Sequence, residues 1–405
     1  MDNAQRTSHA PVGFVLFALA IGGFAIGTTE FAAMSLLPFF SEELGLDKPT
    51  AGHVISAYAL GVVVGAPVIA VLGARIPRRL LLVGLMVTFA LGNGLTALAG
   101  SYDFMLLARF LSGLPHGAYF GVAALLAAAL VGPHKRSQAF ARVMLGLTVA
   151  TIAGVPLANG IGQYFGWRWA FVLVSGLALL TATLLFLFAP RAKEPEGGDP
   201  LTELGALARP QVWLTLAIGA IGFGGMFAVY TYLASTVLQV TGEPPTAIPF
   251  TLAVFGIGLT LGNLVAGWAA DKALMPTAGI VLVWSLIALT IYPFTTGSLW
   301  TLCPAVLAIG CGGGLATALQ IRLMDVAGQA QTLAAALNHS AFNFANALGP
   351  WLAGMALAAG WGLSETGWVG SLLAICGLIF WAWSWALDRR RSPKEEPEPE
   401  LAPAE

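Results

Sequence analysis

The chain has 405 residues, of which 57% are hydrophobic and 10% charged, with a net charge of −1 and a mean hydropathy of +0.80. Soluble proteins average about 25% charged residues, so a water-soluble globule is excluded. With no basic face to meet phosphates, nucleic acid is excluded as a partner too. Cys303, Cys311 and Cys376 lie in apolar runs without metal-ligand spacing, which argues for core thiols rather than a disulfide framework or a metal site.

Apolar stretches of about 20 residues are long enough to cross a bilayer as helices. Twelve occur, near 13–38, 50–73, 80–100, 104–131, 138–164, 168–189, 211–239, 246–270, 276–296, 299–321, 332–359 and 365–387. The first is too long for a signal-peptide core and no small-residue cleavage site follows it, so it is expected to be retained. The expected fold class is an all-α integral membrane protein with twelve transmembrane helices in two pseudo-symmetric six-helix bundles. Residues 1–189 form the N-terminal bundle and 190–210, rich in charge, Pro and Gly, a cytoplasmic linker. Residues 211–388 form the C-terminal bundle, and 389–405 an acidic, Pro-rich, disordered cytoplasmic tail.

Alternate loops separate the basic residues. Arg75, Arg78, Arg79, Lys135, Arg136, Arg142, Arg191, Lys193, Arg209, Lys272, Arg322 and Arg389–Arg391 fall on the side of both termini, and only Lys48 and Arg168 on the other. The positive-inside rule puts both termini in the cytoplasm. An even number of spans agrees with that.

A weak repeat relates the two sets. A shift of 197 carries Gly61 and Gly65 onto Gly258 and Gly262, and Gly113 and Gly117 onto Gly310 and Gly314. A shift of 194 carries Pro156 and Gly160 onto Pro350 and Gly354. Parallel six-span repeats are the plan of the major facilitator superfamily. Two charges break the symmetry: Glu30 falls on Phe227 and Arg109 on Val306.

Those two are the acid and base set well inside predicted spans. A charge at the bilayer centre costs about 2.5–3.5 kcal/mol on insertion scales, so it marks a functional pathway by default. Glu30 lies roughly 25 Å along its span at 1.5 Å per residue, and Arg109 comes to a similar depth in an antiparallel span. Apolar burial disfavours a carboxylate and a neighbouring guanidinium favours it. That tension suits proton coupling through Glu30 with Arg109 in support; a static ion pair fits the same placement. His116 and His339 titrate within spans as well, each also readable as a packing residue. Asn338, His339, Asn343 and Asn346 form a polar stretch in which 339, 343 and 346 share a helical face. In lipid such a face turns inward, to neighbouring helices or a cavity. Further cavity candidates are Phe31, Met34, Tyr58, Asn93, Tyr119, Met144, Phe227, Tyr230 and Gln320, where aromatic and Met side chains make adaptable walls.

Several motifs resemble the major facilitator superfamily over almost the whole chain. Arg109-Phe-Leu-Ser-Gly113 is similar to its Arg-x-x-x-Gly pattern in the fourth span. GVPLANGIG at 154–162 is similar to the Gly/Pro-rich motif of the twelve-span drug–proton antiporters. GTTEF at 27–31, RFLSGLPHGAYFG at 109–121 and FGWRWAF at 165–171 look most like the bacterial sugar-efflux, or arabinose-efflux-permease, branch. The resemblance implies conformational roles for Gly154, Pro156 and Gly160. It implies them also for the loop after span 2, although this chain has Ala74 and Pro77 where the family pattern has Asp and Gly. Arg75, Arg78 and Arg79 remain there, and the matching loop of the second half keeps Gly267, Asp271 and Lys272.

The resemblance implies a secondary transporter, a functional monomer without cofactor, which exports a small organic solute such as a sugar or drug in exchange for protons by alternating access. A uniporter or importer is the alternative within transport. No Ser/His/Asp set, HExxH, phosphate loop or metal-spaced His/Cys group is present to support a membrane enzyme, and a channel accounts less well for a two-fold repeat.

Overall fold

The computed structural model describes residues 12–73, 75–131, 135–190, 205–328 and 331–391. Helices follow the twelve predicted spans in order: α1 (Val12–Ser35), α2 (Lys48–Leu72), α3 (Arg78–Ala97), α4 (Tyr102–Ala129), α5 (Ala141–Phe165) and α6 (Trp167–Phe188) make the first six. The second six are α7 (Pro210–Gln239), α8 (Ala247–Ala270), α9 (Leu274–Phe294), α10 (Leu299–Ala327), α11 (Gln331–Ala358) and α12 (Thr366–Arg391). Eleven are long and apolar enough to cross a membrane. The remaining one, α11, has 28 residues, and its amides and His339 dilute its hydropathy. Most of the expected linker (191–204) and tail (392–405) lie outside the described residues.

Four spans are not the continuous helices that hydropathy predicts. α4 breaks at Leu114–Pro115, α7 at Phe223 and α10 at Gly312–Gly313. In α5, Pro156 has no N–H to give the carbonyl four residues back. The helix absorbs this in a π-turn at Ala150–Gly154, where the Val155 N–H reaches the Ala150 carbonyl. The first span also ends earlier than expected, at Ser35, and a short helix Leu37–Glu43 with Pro38 in its first turn follows.

Close backbone packing gives the repeat its physical content. A Cβ on Gly61 would strike the Phe110 carbonyl oxygen, and one on Gly258 the Leu307 carbonyl oxygen. Gly65 and Gly262 face the Leu114 and Cys311 carbonyls in the same way. From the other side of each crossing, Gly113 meets Tyr58 and Gly310 meets Phe255. Small residues let two membrane helices touch along their backbones, so α2–α4 and α8–α10 are one interface built twice. Pro156 and Gly160 break the parallel: Gly354 rests on Tyr232 and Pro49, whereas Gly160 has open space.

Two seams join the bundles. Along α2 and α11, Ser56 Oγ donates to the Ala347 carbonyl at 2.9 Å, and Gly52 sits against the Tyr232 hydroxyl. Along α5 and α8, Gly256 packs on the Thr151 carbonyl and Gln163 Nε2 donates to the Pro245 carbonyl at 2.8 Å.

At the end of the bundle away from the basic loops, Glu43 ties the short helix to α6. It accepts from Trp167 Nε1 at 2.7 Å and pairs with Arg168, which also donates to the Ala99 carbonyl at 2.8 Å. The Arg168 hydrogen bond, helped by Trp167, holds the Glu43 carboxyl below its ordinary range. A lowered folded-state value stabilises the fold above the unfolded carboxylate range, and that contribution fades as pH falls through the folded value. Glu43 is half exposed, so solvent screening limits the pair to about 1 kcal/mol or less. Melting in detergent is expected to soften slightly between pH 5 and pH 3, and Glu43→Gln to flatten that dependence. An equally steep acid profile in the variant would show that other carboxylates set it.

Candidate functional site

Glu30 lies on the α1 face turned toward the second bundle and is 8% exposed. Asn346 of α11, 316 residues along the chain, donates its Nδ2 to Glu30 Oε1 at 3.1 Å. The Asn346 side-chain oxygen is buried with no hydrogen-bond partner. A carboxylate in a membrane interior is thus held by a neutral amide from the opposite bundle.

Arg109 is fully buried, and it does not pair with Glu30. Its Nη1 donates to Thr29 Oγ1 at 3.1 Å, and Thr29 Oγ1 in turn donates to Asn93 Oδ1 at 2.6 Å. The guanidinium lies over the Tyr58 ring, 4.2 Å from its centroid, with Phe171 at 5.5 Å. Nε and Nη2 have no hydrogen-bond partner. Ring faces, whose quadrupole attracts a cation, replace the missing acceptors. The base therefore contacts α1 next to Glu30 through the Thr29 side chain, and leaves the carboxylate to the other bundle.

The Tyr58 hydroxyl continues this network to His116 Nδ1 at 3.0 Å. The His116 ring lies 6.1 Å from that of His339, which stacks on Phe120 at 5.3 Å and 7°. Across the seam the His116 and His339 rings thus meet at one level and Glu30 and Asn346 are hydrogen-bonded at another, in addition to the Ser56–Ala347 bond. Beside Glu30, Phe31 meets Phe227 at 6.2 Å, Tyr230 at 5.4 Å and Phe255 at 6.5 Å, so α1, α7 and α8 share one aromatic cluster.

The sequence candidates divide accordingly. Glu30, Phe31, Tyr58, His116, Phe227, Tyr230, His339 and Asn346 come together at the seam. Met34 is fully buried in the core near Phe31. Asn338 turns to α10 and donates to Gln320 Oε1 at 2.6 Å, while Asn343 donates to the His339 carbonyl at 3.0 Å. Tyr119 belongs elsewhere: its hydroxyl donates to the Leu19 carbonyl at 2.7 Å and fills the space over Gly22, inside the first bundle. In the motif loops, Arg79 is buried, donates to the Phe186 carbonyl and covers the Phe186 ring, and Arg78 reaches the Leu125 carbonyl. Arg75 is exposed. Asp271 is exposed at the end of α8 and makes no ion pair among the described residues, whereas Lys272 rests on the Trp268 ring at 3.6 Å. Gly267 has only Thr317 within 4 Å of a Cβ position. Gly154 abuts Thr28 and Phe24.

Three participants carried no distinct sequence signal. Thr29 and Phe171 stand out only as parts of the motif strings at 27–31 and 165–171, and Phe255 is one of many aromatics. Phe120 was more legible, four residues after His116 on the same face.

Among the described residues, twelve helices in two repeated sets, meeting along seams that carry a buried carboxylate, fit a membrane transport protein of the two-bundle kind. The family model of the Major Facilitator Superfamily matches residues 19–332 and 244–404, and the chain belongs to that family. It is 37% identical over 370 residues to the inner membrane transport protein YdhP of Escherichia coli K12, covering 91% of this chain and 95% of that protein. It is 33% identical to a chloramphenicol resistance protein of Streptomyces lividans, covering 90% and 94%, and 28% identical to a probable sugar efflux transporter of Helicobacter pylori, covering 90% and 93%. Among solved structures, a bacterial homologue of the human lysosomal transporter Spinster, inward-facing and unoccupied, has the same fold. Its TM-score is 0.66 over 93% of each chain, at 20% identity.

Proposed function

We propose that the protein exports a small organic solute in exchange for protons, by alternating access at the seam between its bundles, as a monomer in a bacterial inner membrane with both termini in the cytoplasm. The observation that carries this reading is the Glu30–Asn346 bond. A carboxylate that loses its charge loses about half of the strength of the hydrogen bond it accepts, because charge-assisted bonds are about twice as strong as neutral ones. Protonation of Glu30 therefore loosens a contact between the very surfaces that must part. It also removes most of the cost of moving that side chain through an apolar gap. The names of two relatives, a chloramphenicol resistance protein and a probable sugar efflux transporter, support export as the direction. The basic loops beside both termini support the orientation.

The test is solute-driven proton movement in proteoliposomes, with a pH-sensitive dye inside and a panel of neutral monosaccharides and lipophilic cations offered outside. One chemical class is expected to drive protons out of the vesicles as it enters. Transport of any member of the panel without proton movement would replace antiport with uniport.

A further inference from the structure

Where α2, α7 and α11 meet near the end away from the basic loops, Tyr232 is fully buried. Gly52 lies four residues into α2, and Gly354 four residues before the end of α11. The Tyr232 side chain fills the space that these two glycines leave. A Cβ on Gly52 would strike the Tyr232 hydroxyl oxygen, whereas Cζ of the same ring stands off at 3.4 Å. A Cβ on Gly354 would lie 3.0 Å from that oxygen and 3.4 Å from Pro49 Cα.

The hydroxyl belongs to the second bundle and only abuts the first. It donates to the Pro350 carbonyl of α11 at 3.2 Å, and among the described residues no group of α2 is hydrogen-bonded to it. Parting the bundles there leaves that hydrogen bond intact and separates packed surfaces alone, so no polar group is orphaned. Pro350 adds a second property. It has no N–H to give the Asn346 carbonyl, so one turn of α11 lacks its helical hydrogen bond. At the inner end of that turn the Asn346 amide holds Glu30 at 3.1 Å, and at its outer end the chain is tied to Tyr232. One weakened turn thus separates the buried carboxylate from the Tyr232–Gly52 contact.

We propose that Tyr232 is the gate residue of the outer closure: its hydroxyl seats in the socket at Gly52, and the outer side opens when that seat is vacated. The inference rests on alternating access between the two bundles as the mode of transport. The socket sets the condition for closure, because two membrane helices approach only as far as the side chains between them allow. Glycine at position 52 admits the hydroxyl, and any side chain there props α2 away from α7 and α11. Loss of charge at Glu30 loosens α11 one turn further in, so the two events follow each other along one helix.

Outer opening is read in the full-length protein in detergent as the distance between spin labels on Glu42→Cys and Ala359→Cys. Both positions are exposed, one in each bundle, and Cys303→Ser, Cys311→Ser and Cys376→Ser remove the native thiols. Neither solute nor proton gradient is present, so failure here leaves proton exchange standing, and failure of proton exchange leaves this measurement standing. Gly52→Ala is expected to raise the ratio of long to short distances about tenfold, within the range that overpacking of a rigid contact imposes. Tyr232→Phe removes the colliding oxygen and leaves Cζ at 3.4 Å. It is expected to keep the short distance by itself and to restore it in Gly52→Ala. Melting of Gly52→Ala is expected to stay close to wild type, because the clash lies between two bodies that can part. An unchanged distance ratio in Gly52→Ala overturns the proposal. So does a double variant that stays open, which assigns the effect to another neighbour of Gly52. A Gly52→Ala chain that no longer melts cooperatively overturns it too, since the contact would then belong to the core and not to a gate.

Discussion

Glu30→Gln is expected to abolish pH-gradient-driven accumulation while leaving the protein folded. A pH difference of one unit is worth about 1.36 kcal/mol per proton, so one-for-one exchange can hold roughly a tenfold solute gradient. In the variant the accumulation ratio should fall to one, and downhill movement of the same solute should survive. Glutamine keeps the size of the side chain and an oxygen for Asn346 Nδ2, which in the wild type donates at 3.1 Å. It also imitates the protonated state permanently, so no charge is left to be buried or bonded more strongly in one stage of the cycle than in another. Thermal melting should be unchanged or slightly raised, because a buried charge has been removed without opening a void. Retention of a tenfold ratio in Glu30→Gln would move the coupling site elsewhere, with His116 and His339 the next groups to replace.

The second large effect is structural, and it comes in a matched pair. Gly65→Ala and Gly262→Ala each drive a methyl group into the carbonyl of the facing helix, Leu114 in one bundle and Cys311 in the other. Backbone cannot yield as a flexible side chain does, and overpacking of this kind costs about 1–3 kcal/mol or more. Each variant is expected to lower the melting midpoint by several degrees and by similar amounts, since the two crossings have the same geometry. Gly160→Ala, placed in open space on α5, is the internal control and should melt like the wild type or slightly above it, as replacing a helical Gly removes an entropic cost. A large loss at Gly65 with none at Gly262 would mean that the repeat is one of topology and not of packing.

How much of this could be read from the chain alone follows from the range of the forces involved. Hydropathy is a local property, so the twelve helices and their order were legible, and the glycine spacing of α2, α4, α8 and α10 carried the repeat. Helix breaks were less so: Pro115 stands at the break in α4 and Gly222, Gly224 and Gly225 surround Phe223 in α7, but glycines are too common in these spans to single out a break. Glu30 and Arg109 stood out because a membrane makes any charge conspicuous. Their partners did not, because they lie far away in sequence and are neutral. Asn346 was one of three asparagines in α11, and only three-dimensional packing selects it over Asn338 or Asn343 as the group that meets Glu30. Tyr119 shows the reverse problem, since its type and helix suited the seam, yet the missing side chain at Gly22 draws it into the first bundle.

The π-turn in α5 also sets the phase of that helix. At about 100° per residue, the eight residues from Gly146 to Gly154 would carry a regular α-helix about 80° beyond two full turns. One surplus residue taken up in a wide turn brings the rotation back to within roughly 20° of two turns. Gly146 and Gly154 can then both abut α1, at Ala20 and at Thr28, although their spacing in a regular helix would place them on different faces. Deleting a single residue between 150 and 154 would remove the surplus and keep that phase, whereas straightening the π-turn with all its residues in place would turn every side chain beyond it, Gly162 and Gln163 included, away from its present neighbour. The irregularity is a counting device: it lets one helix keep two separate appointments along its length.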